Sequence, residues 1–182
     1  GYSPDNPVEA SARTLNNPLP FVENFEGSMA NWNITGPWGA DTGDAHGGSY
    51  SLADSPGGLY ANSVDGWAQT AVDLSGSRWP VLKFWDRYAI AVGDWAVVEV
   101  STDSSGWTRI YGWSDQTETN WTERVIDLSP WRTEPNLRIR FRLWSDSSAN
   151  DSGWNVDDIS VSEHAAVAQG YPFREGFDGG LT

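Results

Sequence analysis

The sequence predicts an all-β protein, a two-sheet antiparallel jelly-roll sandwich. Three observations carry this. Apolar and polar residues alternate with period two in one short segment after another. Turn formers separate the segments, with 19 Gly and 10 Pro in 182 residues. No stretch has the pattern of a helix. The hydrophobic share, 38%, suffices for the core of one domain with tails.

Residues 1–20 hold Pro4, Pro7, Pro18 and Pro20 among Asn and Ser and read as an extended arm or linker. Their few apolar residues are Tyr2, Val8, Leu15 and Leu19, expected to pack on the domain or on a neighbouring copy. The domain itself is expected over 21–163. Phe21 to Gly27 is a short strand with Phe21, Glu23 and Phe25 on one face. Trp32 to Trp38 follows, broken by Gly36-Pro37, and a polar loop runs from Gly39 to Gly48. Ser49 to Asp54 is a strand closed by the turn Ser55-Pro56-Gly57-Gly58. Trp67 to Leu74 sets Ala68, Thr70, Val72 and Leu74 against Trp67, Gln69, Ala71 and Asp73. Val81 to Ile90 carries Leu82, Phe84, Tyr88 and Ile90 on one side, with Asp86 among them. Trp95 to Thr102, with Ala96, Val98 and Val100 on one face, forms a hairpin with Trp107 to Trp113 through Asp103-Ser104-Ser105-Gly106. Trp121 to Leu128 is a further strand. Leu137 to Trp144 alternates most cleanly: Leu137, Ile139, Phe141 and Leu143 inward, Arg138, Arg140, Arg142 and Trp144 outward.

The last strand, Gly153 to Val161, is unusual. Extended geometry puts Trp154, Val156 and Asp158 on one side and Asn155, Asp157, Ile159 and Val161 on the other. Asp is depleted in strands and costly to bury unpaired, so Asp157 and Asp158 need water, a cation or hydrogen-bond donors.

The formal net charge of -14 and pI near 4.2 argue against nucleic acid and anionic membrane surfaces as partners. Without cysteine there are no disulfides and no thiolate metal sites. No apolar run is long enough to span a bilayer, so membrane insertion is not expected. The chain lacks an initial Met and a signal peptide, and reads as a processed chain or a piece of a longer one.

Residues Pro20-Phe21-Val22-Glu23-Asn24-Phe25-Glu26-Gly27 resemble Pro172-Phe173-Arg174-Glu175-Gly176-Phe177-Asp178-Gly179. The shared pattern, Pro-Phe-x-Glu-x-Phe-acid-Gly, makes 164–182 a linker and the first strand of a following repeat, or a donor segment for another molecule. Tyr2, Val8, Leu15, Phe173 and Phe177 are accordingly the expected assembly contacts.

The landmarks Phe25-Glu26-Gly27, Trp32, Gly36-Pro37-Trp38, Gly48-Ser49-Tyr50-Ser51-Leu52, Leu82-Lys83-Phe84-Trp85, Asp94 to Asp103, Leu137 to Arg142 and Gly153 to Ile159 occur in an order that resembles the MAM-like jelly-roll domains. Among these it is similar to the domains appended to immune-inhibitor-A-type secreted bacterial metallopeptidases and surface proteins. The resemblance spans about Phe21 to Val161. It implies a jelly roll, an extracellular setting, and a role in adhesion, self-association or glycan binding. It also implies a structural calcium held by oxygens of Glu26, of the loop with Asp41, Asp44 and Ser49, and of Asp157 or Asp158.

Catalysis is not expected. The two His, His46 and His164, belong to no metallopeptidase motif, and nucleophile-elbow and phosphate-loop signatures are missing. Twelve Trp in one small domain admit two readings: sugar-stacking platforms, or core and interface filling. Trp38, Trp67, Trp95 and Trp113 are the candidate ligand-binding set, with Trp131 and Trp144 as further outer positions. The sequence thus describes a non-catalytic extracellular structural or adhesive unit. It is expected to self-associate into a fibre or surface layer through its terminal segments. The alternative is a carbohydrate-binding module of a secreted hydrolase.

Overall fold

The computed structural model describes residues 15–164, which form the expected all-β sandwich. Eleven strands are present among them: β1 Phe21–Glu23, β2 Asn33–Thr35, β3 Gly39–Asp41, β4 Ser51–Ala53, β5 Asp65–Val72, β6 Pro80–Ile90, β7 Trp95–Ser101, β8 Thr108–Trp113, β9 Gln116–Asp127, β10 Leu137–Trp144 and β11 Gly153–Glu163. One 3-10 turn, Ser129–Trp131, joins β9 to β10. The first sheet runs β3-β4-β11-β6-β9, with β1 also paired to β11; the second runs β2-β5-β10-β7-β8. All pairings between named strands are antiparallel. Part of the loop expected from Gly39 to Gly48 is strand β3, because Ala40 pairs with Leu52.

The core follows the alternation. Leu137, Ile139, Phe141 and Leu143 of β10 meet Leu82, Phe84 and Ile90 of β6 across the gap between the sheets. Asp86 shares that inward face and is fully buried. Arg124 donates to it at 2.8 Å and Trp154 Nε1 at 3.1 Å. Burial pushes the Asp86 carboxyl up to about 6, against the pull of Arg124.

Plain alternation fails at one place. β11 slips register against β6 between Asp157 and Ser160, and Asp158 has φ 46. This bulge brings Trp154, Val156, Ile159 and Val161 together in the core instead of on opposite sides. An Asp tolerates the left-handed region better than the β-branched residue that follows it.

β1 shows why its motif has the form it does. Phe21 and Phe25 pack on Trp32, Glu23 accepts from the Phe25 N–H and the Trp32 indole, and Glu26 accepts from Ser49 and Tyr50. These are the positions repeated at 172–179. Val22 and Asn24, which differ there, are exposed. Tyr2, Val8, Phe173 and Phe177 lie outside the described residues. Leu15, expected as an assembly contact, is instead buried on its own domain. The neighbouring Asn17 holds the chain there by pairing with β5, its N–H donating to the Ala71 carbonyl at 2.9 Å.

Candidate functional site

The two outer faces of the sandwich use similar residues differently. On the β2-β5-β10-β7-β8 face, Arg140 lies 3.8 Å over the Trp107 ring and 5.4 Å from that of Trp67. Its Nε and Nη2 reach Glu99 Oε2 at 2.7 Å. Arg142 holds Asp65 through two bonds of 2.7 and 2.8 Å and covers Trp144. Trp144 stacks on Trp95, whose ring also carries Arg109. The outward Arg140, Arg142 and Trp144 of β10 are therefore part of a ladder of indoles and guanidinium planes.

This corrects the expected ligand-binding Trp set. Trp38 and Trp113 are each 5% exposed. Trp38 packs edge-on against Trp154, and Trp113 packs among Tyr88, Tyr111 and Trp154 with Arg124 over its ring. Burial of these large rings stabilises the core more than their display would. Trp67 and Trp95 do point outward, but stacked guanidinium groups occupy them. Trp131 packs against the core.

The β3-β4-β11-β6-β9 face is open. A cleft of about 410 Å³ crosses it, lined among others by Asp41, Asp44, Arg87, Glu118, Ser152 and Asn155. These come from β3 at one edge to β9 at the other, about 19 Å at ordinary strand spacing. Arg87 is paired to Asp44, which also accepts from Trp121 Nε1 at 3.2 Å. Asn155 donates to Asp41 and Ser51, both at 3.0 Å. Glu118 accepts from Asn120 N–H through Oε1.

Behind one wall of the cleft lies Asp54, 1% exposed. Its Oδ1 accepts from Trp154 N–H at 2.6 Å, while Oδ2 has no partner. The Ser55 hydroxyl beside it donates to the Gly58 carbonyl. Burial pushes the Asp54 carboxyl up to about 7. Gly153, at φ +84, is the glycine this arrangement requires, since a Cβ there would collide with the Asp54 carboxylate.

Beyond Arg87 on β6, Trp85 faces the same way, and its ring is covered. The His46 imidazole stacks on it at 3.9 Å and 11°, with Nδ1 2.7 Å from Asp158 Oδ2. Asp157 Oδ2 accepts from the His46 and Gly47 N–H groups at 2.9 and 3.1 Å, and Oδ1 from Asp158 N–H at 2.7 Å. Burial raises the Asp157 carboxyl, and the N–H donors oppose that.

The residues expected to ligate calcium do not converge as a cage. Glu26 and Asp157 turn to backbone N–H groups, Asp158 to His46, Asp44 to Arg87, and Asp41 to Asn155 and Gly43. Ser49 enters through its N–H, which donates to Glu26 rather than offering an oxygen. Among the described residues no three Asp, Glu or His side chains form a metal-holding group. As placed, this donor set does not fit calcium. Of the polar residues of the cleft, Asp41 and Asp44 were singled out in the sequence, whereas Arg87, Glu118 and Asn155 were not. Their signal was weak: outward positions on strands, indistinguishable from solvated ones.

The fold is that of a jelly-roll sandwich. Three solved structures illustrate the likeness. The carbohydrate-binding module TmCBM61, in complex with β-1,4-galactotriose, matches with TM-score 0.57 and 15% identity, covering 78% of this chain and 94% of that one. The K1 cleaved adhesin domain of Lys-gingipain from Porphyromonas gingivalis W83 matches with TM-score 0.56 and 17% identity, covering 80% and 98%. The C-terminal family 22 carbohydrate-binding module of Clostridium thermocellum Xyn10B has TM-score 0.56 and 17% identity, covering 81% and 95%. At such identities the likeness is one of fold. In sequence, the chain is 26% identical over 157 residues to Bacillopeptidase F of Bacillus subtilis (strain 168). The match covers 80% of this chain, which spans 11% of that protein's length. No family model matches. Among the described residues, no helix is long and apolar enough to cross a membrane.

Proposed function

We propose that the domain is a non-catalytic glycan-binding module of an extracellular protein, and that the glycan lies across the β3-β4-β11-β6-β9 face. The cleft carries this reading. Its side chains end in planar carboxylate, amide and guanidinium groups, which suit paired sugar hydroxyls, and it is long enough for an oligosaccharide. The sandwich fold shared with carbohydrate-binding modules and adhesin domains supports it. The partial match to a peptidase supports a module appended to a larger enzyme, the setting implied by the MAM-like resemblance. Calorimetry against soluble oligosaccharides tests it. Arg87→Ala and Asn155→Ala are each expected to weaken binding about tenfold, as loss of a charge-assisted or paired hydrogen bond should. Trp95→Ala on the opposite face is expected to leave binding unchanged. Equal loss from Trp95→Ala, or no binding by the native chain, would sink the proposal.

A second reading, association of copies, is favoured by the match of 172–179 to the pinned positions of β1. Concentration-dependent sedimentation, abolished by removing residues 165–182, is its expected signature; a monomer at all concentrations would exclude it.

A further inference from the structure

We infer that the cleft selects an amine-bearing glycan, an oligomer of deacetylated amino sugar, over neutral or anionic ones; this rests on the glycan-binding reading above. Charge is the first argument. Three carboxylates line the cleft, from Asp41, Asp44 and Glu118, and Arg87 is the one cation among its described lining residues. Arg87 is committed to Asp44, so the Asp41 and Glu118 charges stand unbalanced.

Unmet acceptor capacity is the second argument. Each Asp41 oxygen accepts one hydrogen bond, from Gly43 N–H and from Asn155 Nδ2, and keeps room for another. Glu118 uses Oε1 towards Asn120. Asp54, buried behind Gly153 of the cleft wall, has one oxygen without a partner. Asp41 and Glu118 thus keep acceptor positions open to an incoming donor.

The third argument is what the cleft lacks. The one aromatic among its described lining residues, Tyr88, is buried and packs on Trp113, and on the same strand the outward Trp85 has His46 over its face. Neutral sugars gain much of their affinity by stacking on such a ring. Here the available attraction is electrostatic, in a chain of net charge -14 that repels uronates and sulfated chains.

The test uses the full chain and two ligands with the same backbone, glucosamine oligomers and their N-acetylated counterparts, with galacturonate oligomers as a third. The amine form is expected to bind about tenfold more tightly than the acetylated form, and less tightly as salt is raised. Asp41→Asn with Glu118→Gln should erase that preference, while Asp103→Asn with Asp127→Asn, remote exposed acids, should preserve it. Equal affinity for amine and acetylated forms would overturn the inference and leave the glycan reading intact. So would galacturonate binding as tight as the amine form, or the remote pair erasing the preference as fully as the cleft pair. Failure of all three ligands, and of neutral oligosaccharides, would overturn the glycan reading itself.

Discussion

The two outer faces of this sandwich contain much the same residue types and behave oppositely. On one, Arg140 and Arg142 are stacked on Trp rings and bonded to Glu99 and Asp65, so neither the ring faces nor the charges are available. On the other, Arg87 and its acidic neighbours border an open cleft. An outward Trp or Arg is therefore not by itself a binding group. What decides is whether the neighbouring strand supplies a partner at the matching register. Arg140 stands opposite Glu99 on β7 and opposite Gln69 on β5, beside Trp67. Arg87 stands opposite Asn155 on β11, and β9 slips register against β6 between Asp86 and Tyr88, leaving a gap in the ladder.

This contrast can be broken by mutation. The largest effect is expected on the closed face. Arg140→Ala leaves buried Glu99 with only the longer 3.7 Å contact to Arg142 and exposes Trp107, and should cost about 3 kcal/mol in denaturant unfolding. Arg140→Lys should recover only part of that, since an ammonium cannot stack or bridge as the planar group does. A loss below about 0.5 kcal/mol would make the ladder ornamental.

Next comes the open face and its pH dependence. The Asp54 carboxyl is raised from 3.8 to about 7 in the folded state. Between about pH 4 and pH 7 the folded protein therefore binds more protons at this site than the unfolded chain. Stability from this group is present below the unfolded value and is lost as pH rises through the window. Asp86, raised to about 6, acts in the same direction over a narrower window. Asp54→Asn should flatten the fall and raise stability at pH 8 by about 2 kcal/mol relative to the native chain, read from urea unfolding at pH 5 and pH 8. An unchanged pH slope would show that Asp54 does not hold the proton.

A smaller effect is expected at the His46 cap. His46→Ala removes one stacked ring and the bond to Asp158, and should cost about 1 kcal/mol while uncovering Trp85. Increased quenching of indole fluorescence by iodide would report the uncovering; no change would mean that the cap is not closed in solution. The smallest expected effect is that of a chelator. With Glu26 and Asp157 satisfied by N–H groups, EDTA should leave the melting temperature unchanged. A clear fall would restore the structural calcium implied by the family resemblance.

Much of the fold was legible beforehand. β10 occurs at the bounds its alternation predicts, Leu137 to Trp144, and its inward Leu, Ile and Phe are core residues. The β7–β8 hairpin forms around the Asp103 turn as expected, with Ser105 and Gly106 N–H groups holding that carboxyl down at about 2. The site was much less legible. Trp38 and Trp113 were expected as ligand platforms and are core. The two Asp of β11 were expected on an unbroken strand and form a bulge. That bulge did have a signal: apolar residues at 154, 156, 159 and 161 can share one face only if an extra residue intervenes.

Alternation by itself determined that this chain makes strands, and that enough of them have one apolar side to close a sandwich, because side-chain direction along a strand is a local property of the backbone. Tertiary structure decided which Trp rings are buried, which guanidinium groups are neutralised and which face stays open. Those outcomes depend on pairs such as Arg140 with Trp107, or His46 with Trp85, far apart in the chain. Strand order and register bring such pairs together, and period-two patterning carries no information about either.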